Sequence, residues 1–232
     1  MKKLCLALAC MFTAASACAQ EIPPSPPSAN TSAPASASAN PAPVPATPAK
    51  PFVYVPGEYD ITIGKKNAPV TIVEYASLSC PHCAHFFTDT YPALKEKYID
   101  TGKARLVYRD YPLNAPALKA AQLVHCVEPD RRHEFVEVLF KMQSKWAYNM
   151  DYMDALANIA ALGGVEKAKF DQCTSDTATE NALIAIEKQA ADEYKVNSTP
   201  TFFINGKEYQ GDRNIDGMGK AIEGALSPSV KK

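Results

Sequence analysis

Runs of β-branched and aromatic residues mark the strands of this chain, and turn signals separate them. The runs 70–75 and 104–108 flank a helical stretch. A strand, a helix and a second strand in that order predict a parallel pair joined by a right-handed crossover. Residues 201–210 predict a hairpin, because Asn205-Gly206 favours a two-residue turn between two short strands.

Between these two groups of strands, residues 115–194 repeat apolar positions with the period of an α-helix. Asp151 is predicted to cap one helix, Gly163-Gly164 to end it, and Thr177-x-x-Glu180 to form a capping box for the next. Two apolar stripes each fall on one helical face: Phe135, Val138, Leu139, Met142 and Trp146, and then Tyr152, Leu156, Ile159 and Ala160. We expect these side chains to form a core rather than a cofactor site, in an all-helical insertion.

The first 19 residues have the pattern of a secretory signal peptide. A charged head, residues 1–3, precedes an apolar run over 4–15 that is too short to span a bilayer. Cleavage after Ala19 is the favoured interpretation. The alternative is a weak lipobox ending at Cys18, which would leave that cysteine lipidated at the new N-terminus. Either reading predicts an exported protein.

Residues 20–51 are predicted to form a Pro/Ala/Ser-rich disordered linker. From Ile22 onward this stretch has Lys50 as its only charge and hardly any apolar side chain to bury. Its proline content favours an extended chain. A tether and a disordered leader without a role are both open interpretations.

The remaining residues have the length of one domain that carries an insertion. The predicted division is 52–114 and 195–232 for the two parts of the α/β unit, with 115–194 inserted between them and a last helix over about 215–226. The formal net charge is −1, and the absence of a basic run excludes the electrostatic footprint of a nucleic-acid-binding protein. No other apolar stretch approaches the roughly 20 residues needed to span a bilayer.

The candidate chemistry is concentrated in Cys80-Pro81-His82-Cys83, which opens a helix directly after the first strand. Closing so short a loop removes only about 2 kcal/mol of unfolded-chain entropy, so a disulfide between these two cysteines would stabilise the fold only weakly. At a helix start, unpaired N–H groups and the helix dipole favour an anion, which predicts a stabilised thiolate at Cys80. Pro81 suits the first helical position, and His82 is predicted to tune the pKa of Cys80. The pattern therefore predicts a redox centre.

Three other interpretations of this motif are open. Cys80 and Cys83 could form a simple structural disulfide. They could also be half of a zinc knuckle that Cys126 and Cys173 complete, although a second Cys-x-x-Cys is missing. In a third function class, a metal-binding module or holdase, the thiols would hold a soft cation such as Cu(I).

Residues 60–226 resemble the DsbA-like thiol-disulfide oxidoreductases of the bacterial periplasm. Two motifs in the same order carry the resemblance: 68–75 leading into the cysteine motif at 80–83, and 198–206 late in the chain. The resemblance implies an α/β fold of the thioredoxin-like type with an inserted all-helical domain. It also implies a periplasmic location and chemistry that needs no cofactor beyond the two cysteines.

The resemblance also implies roles for three further residues. Pro200 would be a cis-proline packed beside the sulfurs, and Thr199 would present its backbone to a substrate peptide by strand-like pairing. Glu74 would lie under the active site and relay protons to or from Cys83. By itself, Glu74 could equally be an acid at a strand end that backbone or solvent satisfies.

Two more cysteines and three more histidines lie in the predicted domain, after residue 51. Cys126 and Cys173 are predicted to form a structural disulfide inside the insertion, because they are an even pair in an exported protein. Free buried thiols are the alternative. His85, His125 and His133 are predicted to be surface or satisfied polar residues without a role in catalysis or metal binding.

By resemblance, the protein is expected to be an oxidase that passes its Cys80–Cys83 disulfide to reduced, newly exported polypeptides. A quinone-linked membrane protein of the DsbB type would reoxidise it. The alternative is disulfide reduction or isomerisation, because Thr199 stands before Pro200 where the best-known oxidases have valine, and isomerases also have threonine there. A monomer is expected, since the leader is too poor in apolar residues to be a dimerisation domain.

Overall fold

A five-stranded mixed sheet lies at the centre of the protein, with its strands in the order β1-β3-β2-β4-β5. The computed structural model describes residues 49–227. The predicted signal peptide, Cys18 and the predicted linker up to residue 48 therefore lie outside the described residues. The strands are β1 (Ile61–Ile63), β2 (Val70–Ala76), β3 (Ala104–Asp110), β4 (Thr201–Ile204) and β5 (Lys207–Tyr209).

Strand β2 is the middle of the sheet. It pairs in parallel with β3, which confirms the predicted parallel pair, and antiparallel with β4 on its other side. All of its residues from Ile72 to Ala76 are buried, and burial on both faces explains why the run has no polar alternation. Strand β1 pairs antiparallel with β3. The sequence pattern does not predict β1, because a strand of three residues is too short to show a period.

The predicted hairpin is formed by β4 and β5. Asn205 (φ 44°) and Gly206 (φ 83°) both have positive φ, as a type I′ turn requires. A Cβ atom at Gly206 would also lie 2.8 Å from the carbonyl oxygen of Phe52. The hairpin is fastened to β2 by a hydrogen bond of 2.8 Å from Thr71 N to Asn205 Oδ1.

Helices fill the chain between the paired strands. After β2 come α1 (Pro81–His85) and α2 (Tyr91–Leu94), each continued by a π-helical turn, Phe86–Thr90 and Lys95–Ile99. After β3 come α3 (Ala115–Cys126), a 3-10 turn (Pro129–Arg131), α4 (Arg132–Lys141), α5 (Gln143–Trp146), α6 (Tyr152–Leu162), α7 (Lys167–Thr174) and α8 (Thr177–Tyr194). The last helix, α9 (Ile215–Leu226), agrees with its predicted range.

This order of elements is the predicted fold class, an α/β sheet of the thioredoxin-like type with helices inserted between β3 and β4. Within residues 49–227, none of the helices combines the length and the apolar composition that crossing a bilayer would require.

The predicted helix ends are partly correct. Helix α8 begins after Asp176, whose side chain accepts a hydrogen bond from Ala178 N. Thr177 is therefore the first helical residue, and the predicted capping box is wrong, because the aspartate one position earlier is an equally good cap. Asp151 precedes α6 as predicted, but its side chain makes no capping hydrogen bond, and Gly163 ends that helix as predicted.

The two predicted apolar stripes contribute to the core. Leu156, Ile159 and Ala160 of the second stripe are buried. In the first stripe Trp146 is fully buried, whereas Val138 is 37% exposed. Val138 lies within α4, beside the buried Phe135 and Leu139, whereas Trp146 belongs to the separate helix α5.

Candidate active site

The cysteine motif lies where β2 ends and α1 begins. Residues 77–80 form a turn, here called the redox turn, which is closed by a hydrogen bond of 3.0 Å from Cys80 N to Ser77 O. Cys80 is the N-cap residue of α1 with extended backbone angles (φ −79°, ψ 123°), and Pro81 is the first helical residue. The missing N–H of proline costs nothing at this position, as expected from the sequence. The motif is thus placed at the carboxyl end of the central strand, where open α/β sheets bind ligands.

The two sulfurs of the motif differ in access. Cys80 is 5% exposed, whereas Cys83 is 0% exposed. Neither cysteine is in a disulfide, so the structure describes the reduced pair. A thiolate of another polypeptide can therefore approach Cys80, while Cys83 is shielded by the fold.

The pKa of Cys80 is lowered from 9.0 to about 5. The largest cause is the hydrogen bond from the Cys83 thiol, and burial acts in the opposite direction. Thr199 and the backbone N–H groups of Cys83 and His82 lower the pKa further. These N–H groups belong to the first turn of α1, where a helix has no internal acceptors for them. At neutral pH the reduced protein therefore holds a thiolate at position 80.

Thr199 lies two residues before β4 and contacts the same sulfur. Cys80 Sγ lies 3.3 Å from the Thr199 carbonyl oxygen, to which the protonated thiol can donate. A thiolate cannot donate, so this carbonyl opposes ionisation. The Thr199 hydroxyl favours ionisation, because it is buried with no other hydrogen-bond partner within residues 49–227 and can donate to the thiolate. The Thr199–Pro200 peptide bond is cis, as the resemblance implies.

Glu74 lies on β2 below the cysteine pair and is 0% exposed. Neither of its carboxyl oxygens has a hydrogen-bond partner within the described part of the chain. Within residues 49–227, no backbone group therefore satisfies the Glu74 carboxyl. Burial raises its pKa well above 4.5, and the charge of Cys80 raises it further.

Cys83 shares this buried side of the site. Burial raises the pKa of its thiol well above 9.0, and the hydrogen bond to Cys80 and the charge of Glu74 act in the same direction. The pair is consequently divided into one thiolate and one protonated thiol. Glu74 adds a second buried group that favours its protonated form, close to the sulfur that must gain or lose a proton.

The histidines differ in their surroundings. His82 is exposed on the first turn of α1, and the tuning of Cys80 by its imidazole stays a prediction. His85 Nδ1 lies 2.8 Å from Asp89 on the surface, and the buried His125 Nε2 lies 2.7 Å from Asp110. His85 is therefore a satisfied surface residue, as predicted, whereas His125 is paired through Nε2 only, because its buried Nδ1 has no hydrogen-bond partner within residues 49–227.

One buried group near the site is missing from the sequence-based prediction. Tyr108 is the register partner of Glu74 on the parallel strand β3 and is fully buried. Its hydroxyl donates to Asp110 Oδ1 over 3.2 Å, and Asp110 continues to His125. The parallel pairing of the two predicted strands was the available signal, because it places Tyr108 in register with Glu74. Gln143 and Tyr148 of the insertion also contact the redox turn, and no local sequence pattern predicts these contacts.

The other cysteines are bonded to each other. Cys126 at the end of α3 and Cys173 in α7 form a disulfide, with their Cα atoms 5.7 Å apart. The pairing is the one predicted for the insertion. It excludes a zinc knuckle completed by these two sulfurs. Within the described ranges, no group of three His, Cys, Asp or Glu side chains could hold a metal ion.

Comparison with known proteins gives consistent matches. The family model described as thioredoxin matches residues 57–224. A protein of Rickettsia typhi, whose name assigns it provisionally to the protein-disulfide oxidoreductases, is 35% identical over 173 residues, which are 74% of this chain and 64% of the relative. A Rickettsia bellii protein with the same kind of name is 34% identical and is matched over 75% of this chain and 68% of the relative. The chain thus spans less than two thirds of the Rickettsia typhi relative.

Solved structures share the fold over most of their length. The crystal structure of alpha-DsbA1 from Wolbachia pipientis is 31% identical with a TM-score of 0.70, over 74% of this chain and 93% of that chain. The structure of oxidised BdbD from Bacillus subtilis has a TM-score of 0.64 over 77% of this chain and 96% of that chain, and at 23% identity it supports the fold alone.

Proposed function

Because this chain belongs to the DsbA-like family of thioredoxin-fold proteins, we propose that it is a thiol-disulfide oxidoreductase that introduces disulfide bonds into exported proteins. The observation that carries the proposal is the low pKa of Cys80, about 5, on the more accessible of two neighbouring cysteines. A thiolate stabilised in this way favours the reduced form of the pair, so the disulfide form is an oxidant.

The reaction follows from this arrangement of the two sulfurs. A substrate thiolate attacks Cys80 in the Cys80–Cys83 disulfide, a substrate–Cys80 disulfide forms, and the sulfur of Cys83 leaves with the electron pair. A second substrate thiolate then attacks the substrate sulfur and releases Cys80 as a thiolate. The substrate loses two electrons and gains a disulfide, and the cysteine pair becomes the dithiol.

Glu74 is proposed to supply the proton that Cys83 takes up when it leaves. Both groups are buried and both have raised pKa values, so neither readily holds a negative charge. A proton passing from Glu74 to Cys83 would neutralise the leaving sulfur and leave one negative charge, on the Glu74 carboxylate.

Substrate binding is proposed to occur beside Thr199 and Pro200. Thr199 is 9% exposed and lies two residues before β4, and its carbonyl oxygen lies 3.3 Å from Cys80 Sγ. A peptide paired as a strand with this backbone would bring its own cysteine next to the reactive sulfur.

The direction of electron flow distinguishes the proposed oxidase from its alternative. The low pKa of Cys80 supports an oxidase, since a change of about 1.4 kcal/mol in thiolate stability corresponds to about 30 mV for this couple. Thr199, which replaces the valine of the best-known oxidases, is the feature that favours an isomerase or reductase. A reduction potential near that of thioredoxin, about −270 mV, would favour the alternative.

The setting of the reaction is also part of the proposal. We propose that the protein acts in the periplasm as a monomer and that a DsbB-type membrane partner reoxidises it. The signal-peptide pattern at 1–19 supports export. The disulfide between Cys126 and Cys173 supports an oxidising compartment, because such bonds persist mainly outside the cytosol. Lipidation at Cys18 is the alternative to removal of that residue.

The test uses reduced, unfolded substrate protein and follows the formation of its disulfides. Cys80→Ser should abolish the oxidation, and Cys83→Ser should accumulate the disulfide between Cys80 and the substrate. The double variant Cys126→Ser/Cys173→Ser is the matched control and should retain the activity, because that pair lies in the insertion. Dithiol oxidation by Cys80→Ser at the parent rate would refute the proposal.

A further inference from the structure

Three consecutive carbonyl groups of the redox turn accept hydrogen bonds from one short segment of the helical insertion. Gln143 Nε2 donates to Leu78 O over 2.8 Å and to Cys80 O over 2.9 Å. Tyr148 Oη donates to Ser79 O over 2.8 Å. The partners are 65, 63 and 69 positions apart in sequence, so these contacts form only when the insertion packs against the turn.

The carbonyl groups depend on these donors. Leu78 is 1% exposed and Ser79 is 4% exposed, so water has little access to either residue. Within residues 49–227, the hydrogen bonds to Leu78 O and Ser79 O come from Gln143 and Tyr148. The side-chain amide of Gln143 has two N–H bonds, which is enough for one to Leu78 O and one to Cys80 O.

Tyr148 is not held in place by burial of its ring. The residue is 63% exposed, so packing contributes little to its position and the hydroxyl contact contributes more. Burial raises the pKa of its hydroxyl, and the charge of Cys80 raises it further. The phenol is therefore within electrostatic reach of the reactive sulfur.

We propose that Gln143 and Tyr148 are positioning residues that hold the redox turn so that the sulfur of Cys80 stays over the first turn of α1. The proposal rests on the proposed function only in taking Cys80 as the reacting cysteine. Cys80 O accepts from Gln143 and also from Ala84 N over 3.1 Å, which fixes the peptide plane that follows the cysteine. The direction of its Cα–Cβ bond relative to the N–H groups of α1 is fixed with it.

A second effect of the two donors is electrostatic. Each donor places a partial positive charge against a carbonyl oxygen close to the thiolate, and this reduces the negative potential that the unpaired carbonyls would create there. Loss of either donor should therefore make the thiolate of Cys80 less stable, by geometry and by charge together.

Gln143→Glu tests the proposal, because a carboxylate offers only acceptors to the carbonyl oxygens of Leu78 and Cys80. We expect the pKa of Cys80 to rise by about one unit, a tenfold smaller ionisation constant, measured by the ultraviolet absorbance of the thiolate. The equilibrium with glutathione should shift about tenfold towards the disulfide form, which is about 30 mV. Gln189→Glu, the same change on the exposed side of α8, is the control and should leave both values at those of the parent.

Tyr148→Phe is the second variant, because it removes one hydroxyl from an exposed ring and does not endanger folding. We expect the ionisation constant of Cys80 to fall about threefold. A parent-like pKa and a parent-like glutathione equilibrium in Tyr148→Phe would overturn the proposal, whether or not Gln143→Glu folds. A merely structural contact would lower the melting temperature and leave both redox values unchanged. The proposed function is judged separately, by the substrate oxidation of Cys80→Ser.

Discussion

Acidification should remove the stability that the reduced protein gains from its thiolate. The pKa of Cys80 is about 5 in the folded reduced protein and 9.0 for the ordinary thiol. A group whose pKa is lowered by folding adds stability above its unfolded pKa, and this stability is lost as the pH falls through the folded value. Between pH 9 and pH 5 the contribution should therefore decrease steadily.

The magnitude follows from the distance between the working pH and the folded pKa of Cys80. Neutral pH lies about two units above that pKa, and at 1.36 kcal/mol per unit this gives at most about 2.7 kcal/mol. The sulfur lies at the edge of the fold, so solvent screening reduces this value, and we expect about 1 to 2 kcal/mol. Cys83 stays protonated in the folded and the unfolded protein over this range, because its pKa is raised from an ordinary value of 9.0. Glu74 has a raised pKa, so its contribution to stability decreases as the pH rises above its ordinary value of 4.5, and both redox forms contain this carboxyl.

The assay is urea unfolding of the reduced and the oxidised protein at several pH values from about 7 to about 4. Subtracting the two free energies of unfolding cancels the pH dependence that comes from carboxyl groups titrating alike in both forms. The oxidised form has no thiol at position 80 to titrate. The difference, reduced minus oxidised, should fall by about 1 to 2 kcal/mol on acidification. The control is Cys80→Ala, whose own pH profile should lack this component. A difference that stays constant over the whole range would refute the assignment of a stabilised thiolate to Cys80.

Three further outcomes follow from the site and the insertion. Cys83→Ala removes the hydrogen bond that lowers the pKa of Cys80 most, so that pKa should rise by about two units; an unchanged thiolate absorbance titration would contradict this. Glu74→Gln should slow the release of Cys83 from the disulfide by at least about tenfold in stopped-flow exchange. Glu74→Gln should also stabilise the protein at alkaline pH, because a carboxyl group whose pKa is raised by folding destabilises the folded protein as the pH rises. A parent-like urea midpoint at alkaline pH would count against a buried carboxyl at position 74. Removing the Cys126–Cys173 bond, which closes a separation of 47 residues, should lower the free energy of unfolding by up to about 4 kcal/mol with an unchanged Cys80 titration; equal urea midpoints would exclude a stabilising role.

Local patterns predict the parts of the fold whose determinants are close together in sequence. The strands β2 and β3, the Asn205-Gly206 turn and the range of α9 agree with the structure because hydrophobic period and turn chemistry act within a few residues. The start of α8 differs by one residue because Asp176 and Thr177 are both good caps, and only the packed structure selects one of them.

The site shows the same division between local and long-range determinants. The position of Cys80 at a helix start could be read from the sequence, since Pro81 follows it directly. The contacts of Gln143 and Tyr148 could not, because they join segments more than 60 positions apart. That no group of residues 49–227 hydrogen-bonds to the Glu74 carboxyl could not be read either, since it depends on how all surrounding elements pack.

The long-range contacts of the redox turn have a consequence for the order in which the protein matures. A nascent chain that has emerged only as far as β3 contains Cys80 but none of the later residues that contact the redox turn or its sulfur, namely Gln143, Tyr148 and Thr199. We expect such a chain to carry an ordinary, slowly reacting dithiol, because contacts of high sequence separation form late in folding. A refolding time course in which thiolate absorbance rises before the amides of α5 become protected from exchange would contradict this order. If the expected order holds, only the completely folded protein has the reactive thiolate, and incomplete chains do not exchange disulfides with one another.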